Sequence, residues 1–145
     1  MADAKNVING TYGTLWVNGE KWAECTTFDA EITINYSEVH FPNDGATYQK
    51  ATGWSGSGSL TINKIYSRVQ NAVASSVKSG TYPRFELVGK LADPDALGSE
   101  RAAIHDVTFD KFTLLKFDPK KIEDEQVTFK FSDYDLLDTI PDPTS

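Results

Sequence analysis

Hydrophobic and polar residues alternate with a period of two along much of the chain. The clearest case is residues 28–36, where even-numbered positions are apolar and odd-numbered positions are polar. Successive side chains of a strand point to opposite faces. The segment therefore predicts a strand with one buried face and one face that meets water or a polar partner. The apolar set is Phe28, Ala30, Ile32, Ile34 and Tyr36, and the polar set is Asp29, Glu31, Thr33 and Asn35.

The same alternation predicts further strands. Residues 15–17 and 20–22 flank Asn18-Gly19, a dipeptide favoured in type I′ hairpin turns because both central residues need a positive φ. More strands are predicted around residues 60–62, over 82–91, over 103–117 as one long bent strand, and over 127–131.

One helix and one long loop interrupt the strands. Ile65, Val69, Val73 and Val77 recur every four residues, which predicts a helix near residues 67–79 with an apolar stripe. Gly80 is placed to cap its C-terminus. Residues 37–53 show neither period and predict a long loop, which in a compact domain is usually functional or mobile.

Together these elements predict a mainly β fold, an antiparallel β-sandwich or partly open barrel with one flanking α-helix. The lack of alternating βαβ units argues against a doubly wound fold. No linker or repeat divides the 145 residues, so we predict a single domain over residues 1–145 with flexible ends at about 1–6 and 139–145.

Charge and hydropathy exclude some functions. The chain has 14 Lys+Arg against 21 Asp+Glu, a net charge of −7. Such an acidic chain argues against binding nucleic acid through its phosphates. No apolar stretch approaches the ~18 residues of a membrane span, and residues 1–9 carry no signal peptide. We therefore expect no membrane anchor and synthesis in a cytoplasm.

The residues that carry chemistry are few. One cysteine, Cys25, and two histidines, His40 and His105, do not provide the ligand spacing of common zinc sites, so we expect no metal and no cofactor. Residues 53–59 lack the motif glycines and lysine of a phosphate-binding loop and the last glycine of a GxSxG nucleophile turn. No nucleophile–base pair is identifiable, and we predict no enzymatic activity.

Several segments resemble the tail tube proteins of contractile phage tails, including those of PBSX-like defective prophages. Residues 8–13 (INGTYG) and 15–20 (LWVNGE) resemble the N-terminal hairpin of that family. Residues 53–61 (GWSGSGSLT), followed by Lys64, Ser67 and Arg68, resemble its most specific stretch. Residues 131–137 (FSDYDLL) are similar too. The likeness covers about residues 7–138 and rests on the order and spacing of these motifs.

The resemblance implies a non-enzymatic β-sandwich subunit that forms hexameric rings, which stack into the inner tube of a contractile tail. In such tubes four strands of each subunit line the lumen. The implied partners are further copies of the chain, the tail sheath protein, and baseplate and tail terminator proteins. The implied place is a virion tail or phage-like particle assembled in the bacterial host cytoplasm. DNA or ions would pass through, and DNA would not stick to an acidic wall because contact would release no counterions.

Three groups of residues become candidate contacts on this interpretation. The long loop is a candidate for contact between rings, the glycine-rich segment is a candidate subunit-contact turn, and the polar set of residues 28–36 is a candidate lumen or polar face. The loop group is His40, Phe41, Pro42, Asn43, Asp44 and Gly45; the turn group is Trp54, Gly56 and Gly58; the polar group is Asp29, Glu31, Thr33 and Asn35.

Two alternatives stay open at the level of the sequence. One is a type VI secretion-like effector tube, which shares the implied architecture. The other is a carbohydrate-binding β-sandwich, in which Trp54 and nearby tyrosines would stack on a sugar.

Overall fold

The structure is a computed structural model, and it describes residues 3–65 and 67–142. Of the ends predicted to be flexible, residues 1–2 and 143–145 lie outside this part. Short 3-10 turns occur at Ala4–Asn6 and Gly10–Tyr12, and a π-helical turn, Gln70–Ala74, continues into α1 (Ser75–Ser79). The strands are β1 (Gly13–Val17), β2 (Glu20–Lys21), β3 (Cys25–Val39), β4 (Tyr48–Asn63), β5 (Phe85–Leu91), β6 (Glu100–Lys111), β7 (Asp124–Phe131) and β8 (Asp133–Asp138).

The strands form an open antiparallel sheet in the order β2-β1-β5-β6-β7-β4-β3, and β8 also pairs with β6. The long strand β6 belongs to two layers. Its first half pairs with β5 and β8, and its second half pairs with β7. Between the halves Asp106 adopts a φ of 57°, which bends the strand. We call the layer of β2, β1, β5, β6 and β8 sheet A, and the layer of β6, β7, β4 and β3 sheet B. The mainly β, partly open architecture predicted from the sequence is confirmed.

The two sheets and the helical segment share one hydrophobic core. Sheet A contributes Leu87 and sheet B contributes Leu60 and Phe129, all at most 1% exposed. The helical segment contributes Val69 and Val73, as its apolar stripe predicts. The other two members of that stripe, Ile65 and Val77, are exposed.

Buried charges attach the helical segment to the sheets. Arg68 pairs with Glu24 and Glu20, and its guanidinium lies 5.2 Å from the ring centroid of Trp22. The carboxylate of Glu125, only 3% exposed, pairs with Lys64 and accepts a hydrogen bond of 2.8 Å from Gln70 Nε2. A buried carboxylate is costly unless it is paired. These contacts therefore fix the position of the helical segment.

Two predicted boundaries are wrong. The loop predicted over residues 37–53 is confined to residues 40–47. Residues 37–39 and 48–53 belong to β3 and β4, whose backbones pair although many of the side chains are polar. The strand predicted over residues 103–117 begins earlier, at Glu100, and ends at Lys111, where its pairing with β7 ends. In both places the backbone ladder, which the side-chain pattern does not report, decides the boundary.

The glycines of the GWSGSGS segment lie inside β4, so the predicted turn is wrong. Two of them, Gly56 and Gly58, make room for aromatic rings of β7. A Cβ atom on Gly58 would lie 2.2 Å from the carbonyl oxygen of Asp29 and 2.5 Å from Cζ of Phe129. A Cβ atom on Gly56 would lie 2.4 Å from the ring of Phe131. Each glycine thus allows a core aromatic ring to rest on the strand.

We predict that Gly58→Ala destabilises the chain by about 1–3 kcal/mol, because both a backbone oxygen and a packed ring must move. The measurement is urea unfolding followed by tryptophan fluorescence. Gly45→Ala is the matched control, since nothing lies within 4 Å of a Cβ atom there. Equal stability of the two variants would contradict the packing role of Gly58.

Candidate functional site

The most unusual feature of the chain is a two-stranded ribbon that extends beyond sheet B. Strand β4 pairs with β7 only from Gly56 to Asn63. Residues 33–39 of β3 and 48–55 of β4 pair only with each other. The outer edge of β3 has no strand partner in the part of the chain that the structure describes. We call residues 33–55, with the connection between the two strands, the ribbon.

One face of the ribbon continues the hydrophobic core out into solvent. Directly paired residues place Ala30, Gly58 and Phe129 in one row, and Ile32, Gly56 and Phe131 in the next. Exposure rises along this face: Phe129 is 1% exposed, Phe131 7% and Ile32 42%. We call its exposed members the apolar stripe: Ile32, Ile34, Tyr36 and Trp54.

The predicted burial of this face is therefore wrong beyond its first residues. Phe28 packs against the core, and its ring stacks on Phe129 with centroids 5.9 Å apart. Ile34 and Tyr36 are 51% and 57% exposed, because β3 runs past the end of β7. The alternation correctly identifies which residues share a face, and it does not report whether the chain itself covers them.

Within the apolar stripe, Trp54 contacts the body of the chain. Its ring lies 6.4 Å from Phe131 and meets Tyr134 of β8 edge-on at 5.7 Å. It is paired with Ile34 of β3. Its neighbours are thus aromatic and aliphatic, as in a surface that packs against another protein.

The opposite face of sheet B is polar, and the structure brings all four predicted polar residues together on it. Asp29, Glu31, Thr33 and Asn35 are exposed and stand opposite residues 59, 57, 55 and 53 of β4, three of which are serines. Ser59 Oγ donates a hydrogen bond of 2.6 Å to Asp29. These serines are not among the predicted residues, although their alternation with glycine in the sequence marks the face on which each stands.

The predicted ring-contact residues, His40–Gly45, form the tip of the ribbon. The tip is organised by its own contacts. Asp44 accepts hydrogen bonds from the Tyr48 hydroxyl at 2.6 Å and from the Ala46 N–H at 2.9 Å. The Tyr48 hydrogen bond lowers the pKa of Asp44 and raises that of Tyr48. The Phe41 ring packs edge-on against Tyr48 and remains 55% exposed.

A second exposed apolar segment was missed. Residues 112–123 connect β6 and β7, and we call them the basic loop for their lysines. Four large side chains there are more exposed than any in the apolar stripe: Leu114 72%, Leu115 79%, Phe117 79% and Ile122 87%. The sequence analysis assigned residues 112–117 to a bent strand. Their missing alternation, with two adjacent leucines, was the signal against it.

Cys25 and His105 take structural roles. Burial raises the pKa of the Cys25 thiol, which keeps it protonated. His105 bonds Glu86 through Nδ1 and Asp135 through Nε2, the latter at 2.9 Å, so it joins β5, β6 and β8. Within residues 3–65 and 67–142, no group of His, Cys, Asp and Glu is arranged to hold a metal. No helix in that part is long and apolar enough to cross a membrane.

We predict that the link through His105 weakens as the pH rises. Hydrogen bonds with Glu86 and then Asp135 raise the pKa of His105 above 6.5. A raised folded-state pKa gives stability that is complete below the unfolded pKa and lost as pH rises through the folded value. The melting temperature should therefore fall as the pH rises from the unfolded-state pKa of His105 through its folded-state pKa. The fall should be modest because the site is solvated. The slope should flatten in His105→Gln; an unchanged slope would contradict the assignment.

The comparisons with known proteins agree with this architecture. A family model described as phage tail tube protein matches residues 1–138. The phage-like element PBSX protein XkdM of Bacillus subtilis (strain 168) is 36% identical over 142 residues, covering 96% of each chain.

Solved structures share the fold at low sequence identity. A chain of the PVC sheath–tube complex, from an extracellular contractile injection system in its extended state, superposes with a TM-score of 0.74. It is 11% identical and the match covers 94% of this chain and 95% of that one. A chain of the tube-terminating cap of the anti-feeding prophage gives a TM-score of 0.76 at 10% identity, covering 96% of each. At these identities the similarity shows the fold.

Proposed function

Because the chain belongs to the phage tail tube family, we propose that its copies form hexameric rings that stack into the inner tube of a contractile phage or phage-like tail. The role is structural, with no reaction catalysed. The observation that carries the proposal is the ribbon. A two-stranded ribbon is marginally stable alone in water, and this one exposes an apolar face and an unpaired edge.

A neighbouring copy would pair with the free edge of the ribbon and cover its apolar face. Unpaired strand edges invite pairing with another chain, and closing the strands around a ring removes them. Sheet B has two edges to offer: the outer edge of β3, and the second half of β6, which pairs on one side with β7. Joining these edges between copies would give a continuous wall with four strands from each subunit. The apolar stripe would then pack against the body of the adjacent copy.

The polar face of sheet B then lines the lumen. Serine hydroxyls of β4 stand opposite the carboxylates of β3 there, and one paired row places Glu31, Ser57 and Lys130 side by side. With a net charge of −7 per copy, such a wall attracts few phosphates. The cargo is DNA or ions that pass without sticking. A tube that carries effector proteins, as in type VI secretion, is the alternative cargo assignment.

The opposite side of the tube meets the rest of the tail. Sheet A and the helical segment lie on the far side of the core from the polar face of sheet B. They provide the outer surface for a tail sheath protein, and the two ends of the tube provide surfaces for baseplate and tail terminator proteins. We place the protein in a virion tail or phage-like particle, assembled in the cytoplasm of the bacterial host.

We predict that Ile34→Lys prevents assembly while the chain stays folded. Ile34 is 51% exposed in the single chain, so lysine is tolerated there. In a packed interface, however, it would bury an unpaired charge and weaken each contact by about 2 kcal/mol or more. The measurement is negative-stain electron microscopy with sedimentation across a concentration series.

Thr33→Lys is the matched control, because Thr33 is the preceding residue on β3 and stands on the polar face. We expect it to form tubes of normal diameter. Tubes from Ile34→Lys, or equal loss of tubes in both variants, would contradict the assignment of the apolar stripe to the subunit contact. A wild-type protein that stays monomeric at high concentration would contradict the tube itself.

We predict that shortening the tip separates ring formation from stacking. Val39 and Tyr48 are paired across the ribbon, so deletion of residues 41–46 leaves a two-residue connection. His40→Asn and Thr47→Gly in that connection supply the Asn-Gly sequence that type I′ turns favour. We expect rings without long tubes, with a circular dichroism spectrum like that of the wild type. Normal tubes would exclude the tip from ring-to-ring contact.

A further inference from the structure

The basic loop is an exposed apolar surface that the tube assignment does not use. Leu115 and Phe117 are each 79% exposed, and Ile122 is 87% exposed. Single exposed apolar residues are common, whereas several on one short segment mark an interaction site. Ile65, 73% exposed, lies near the same end, since the neighbouring Lys64 N–H bonds to the carbonyl of Glu123.

The basic loop is held in shape although its apolar side chains point outward. Gln70 Nε2 donates to the carbonyl oxygens of Thr113 and Leu114 at 3.1 and 3.3 Å. The N–H of Asp118 donates to the Glu123 carboxylate at 2.7 Å. A preorganised apolar surface loses little conformational entropy on binding.

The basic loop and the ribbon tip lie at opposite ends of the same strand. The tip precedes Tyr48, the first residue of β4, and the basic loop leads into Asp124, the partner of Asn63 at the last residue of β4. Fifteen steps of about 3.3 Å place the two ends roughly 50 Å apart. Stacking copies along that direction would bring the tip of one copy towards the basic loop of the next.

The tip and the basic loop have charges of opposite sign, and both also expose apolar side chains. Residues 38–48 contain Glu38 and Asp44 and no lysine or arginine. The basic loop carries Lys116, Lys120 and Lys121 against Asp118 and Glu123, so it is net positive in a chain whose net charge is −7. The tip presents Phe41, 55% exposed, to leucine, phenylalanine and isoleucine side chains.

We propose that the basic loop is the receptor for the ribbon tip of a second copy in the adjacent ring, with Phe41 packing among Leu115, Phe117 and Ile122. The proposal rests on the stacked tube of the proposed function and names the pair of surfaces that joins its rings. The contact is head-to-tail, because each copy uses its tip towards one neighbouring ring and its basic loop towards the other. Such heterologous contacts propagate without closing, which is what a tube of unlimited length requires.

Cross-linking between marked copies tests the pairing. In a Cys25→Ser background, F41C and L115C proteins are assembled separately and as an equal mixture, then treated with a short bifunctional maleimide. We expect covalent dimers in the mixture and none in either protein alone. The double variant F41C/L115C should give a ladder that extends beyond six copies. Dimers from F41C alone would show tip-to-tip contact and overturn the proposal.

Leu115→Asp and Leu115→Met add a measurement without a cross-linker. We expect Leu115→Asp to shorten tubes by about tenfold or more while rings remain, and Leu115→Met to match the wild type, because it keeps the apolar contact. Normal tubes from Leu115→Asp, without cross-links in the mixture, would overturn this inference and leave the tube intact. That result would reassign the basic loop to another tail protein. Failure of the wild type to form rings would instead overturn the proposed function.

Discussion

The ribbon of β3 and β4 imposes the constraint on which the rest of the structure depends. Its apolar stripe is an outward continuation of the core, from the buried Phe129 row to the half-exposed Ile34. Water penalises that exposure, and the backbone edge of β3 adds unpaired hydrogen-bonding groups. In the proposed tube, a neighbouring copy covers this face and pairs with this edge. That arrangement would explain how one domain forms both a stable subunit and a wall.

The remaining elements hold the ribbon in position. Gly56 and Gly58 let the rings of Phe131 and Phe129 lie flat on β4, so the ribbon leaves the body from a tightly packed base. Paired charges at Glu24 and Glu125 attach the helical segment near the other end of these strands, where Glu125 is the partner of Ile62 of β4. The contact between Gln70 and the basic loop extends this set of contacts to the end opposite the tip. Packing at the base thus determines the direction in which the ribbon extends from the body.

Much of the architecture is predictable from side-chain periodicity, and the failures have one physical cause. The pattern over residues 28–36 sorts Asp29 and Ile34 correctly onto opposite faces. Periodicity cannot report what covers a face, so it predicts burial for Ile32, Ile34 and Tyr36, which are exposed. The basic loop was missed for the same reason, since Leu115 resembles a core residue in the sequence. The pairing of the buried Glu125 cannot be read from the sequence, because only the fold brings Lys64 and Gln70 to it.

Amide hydrogen exchange of the ribbon tests the central claim most directly. The central claim is that a second copy completes β3 and covers the apolar stripe. Exchange over residues 32–39 and 48–55 is compared between dilute monomer and the assembled form, with β5 as the internal reference because its core position is the same in both. The account predicts rapid exchange in the monomer and strong protection after assembly in the ribbon, the tip, the basic loop and the second half of β6. Equal exchange of the ribbon in both states would contradict it.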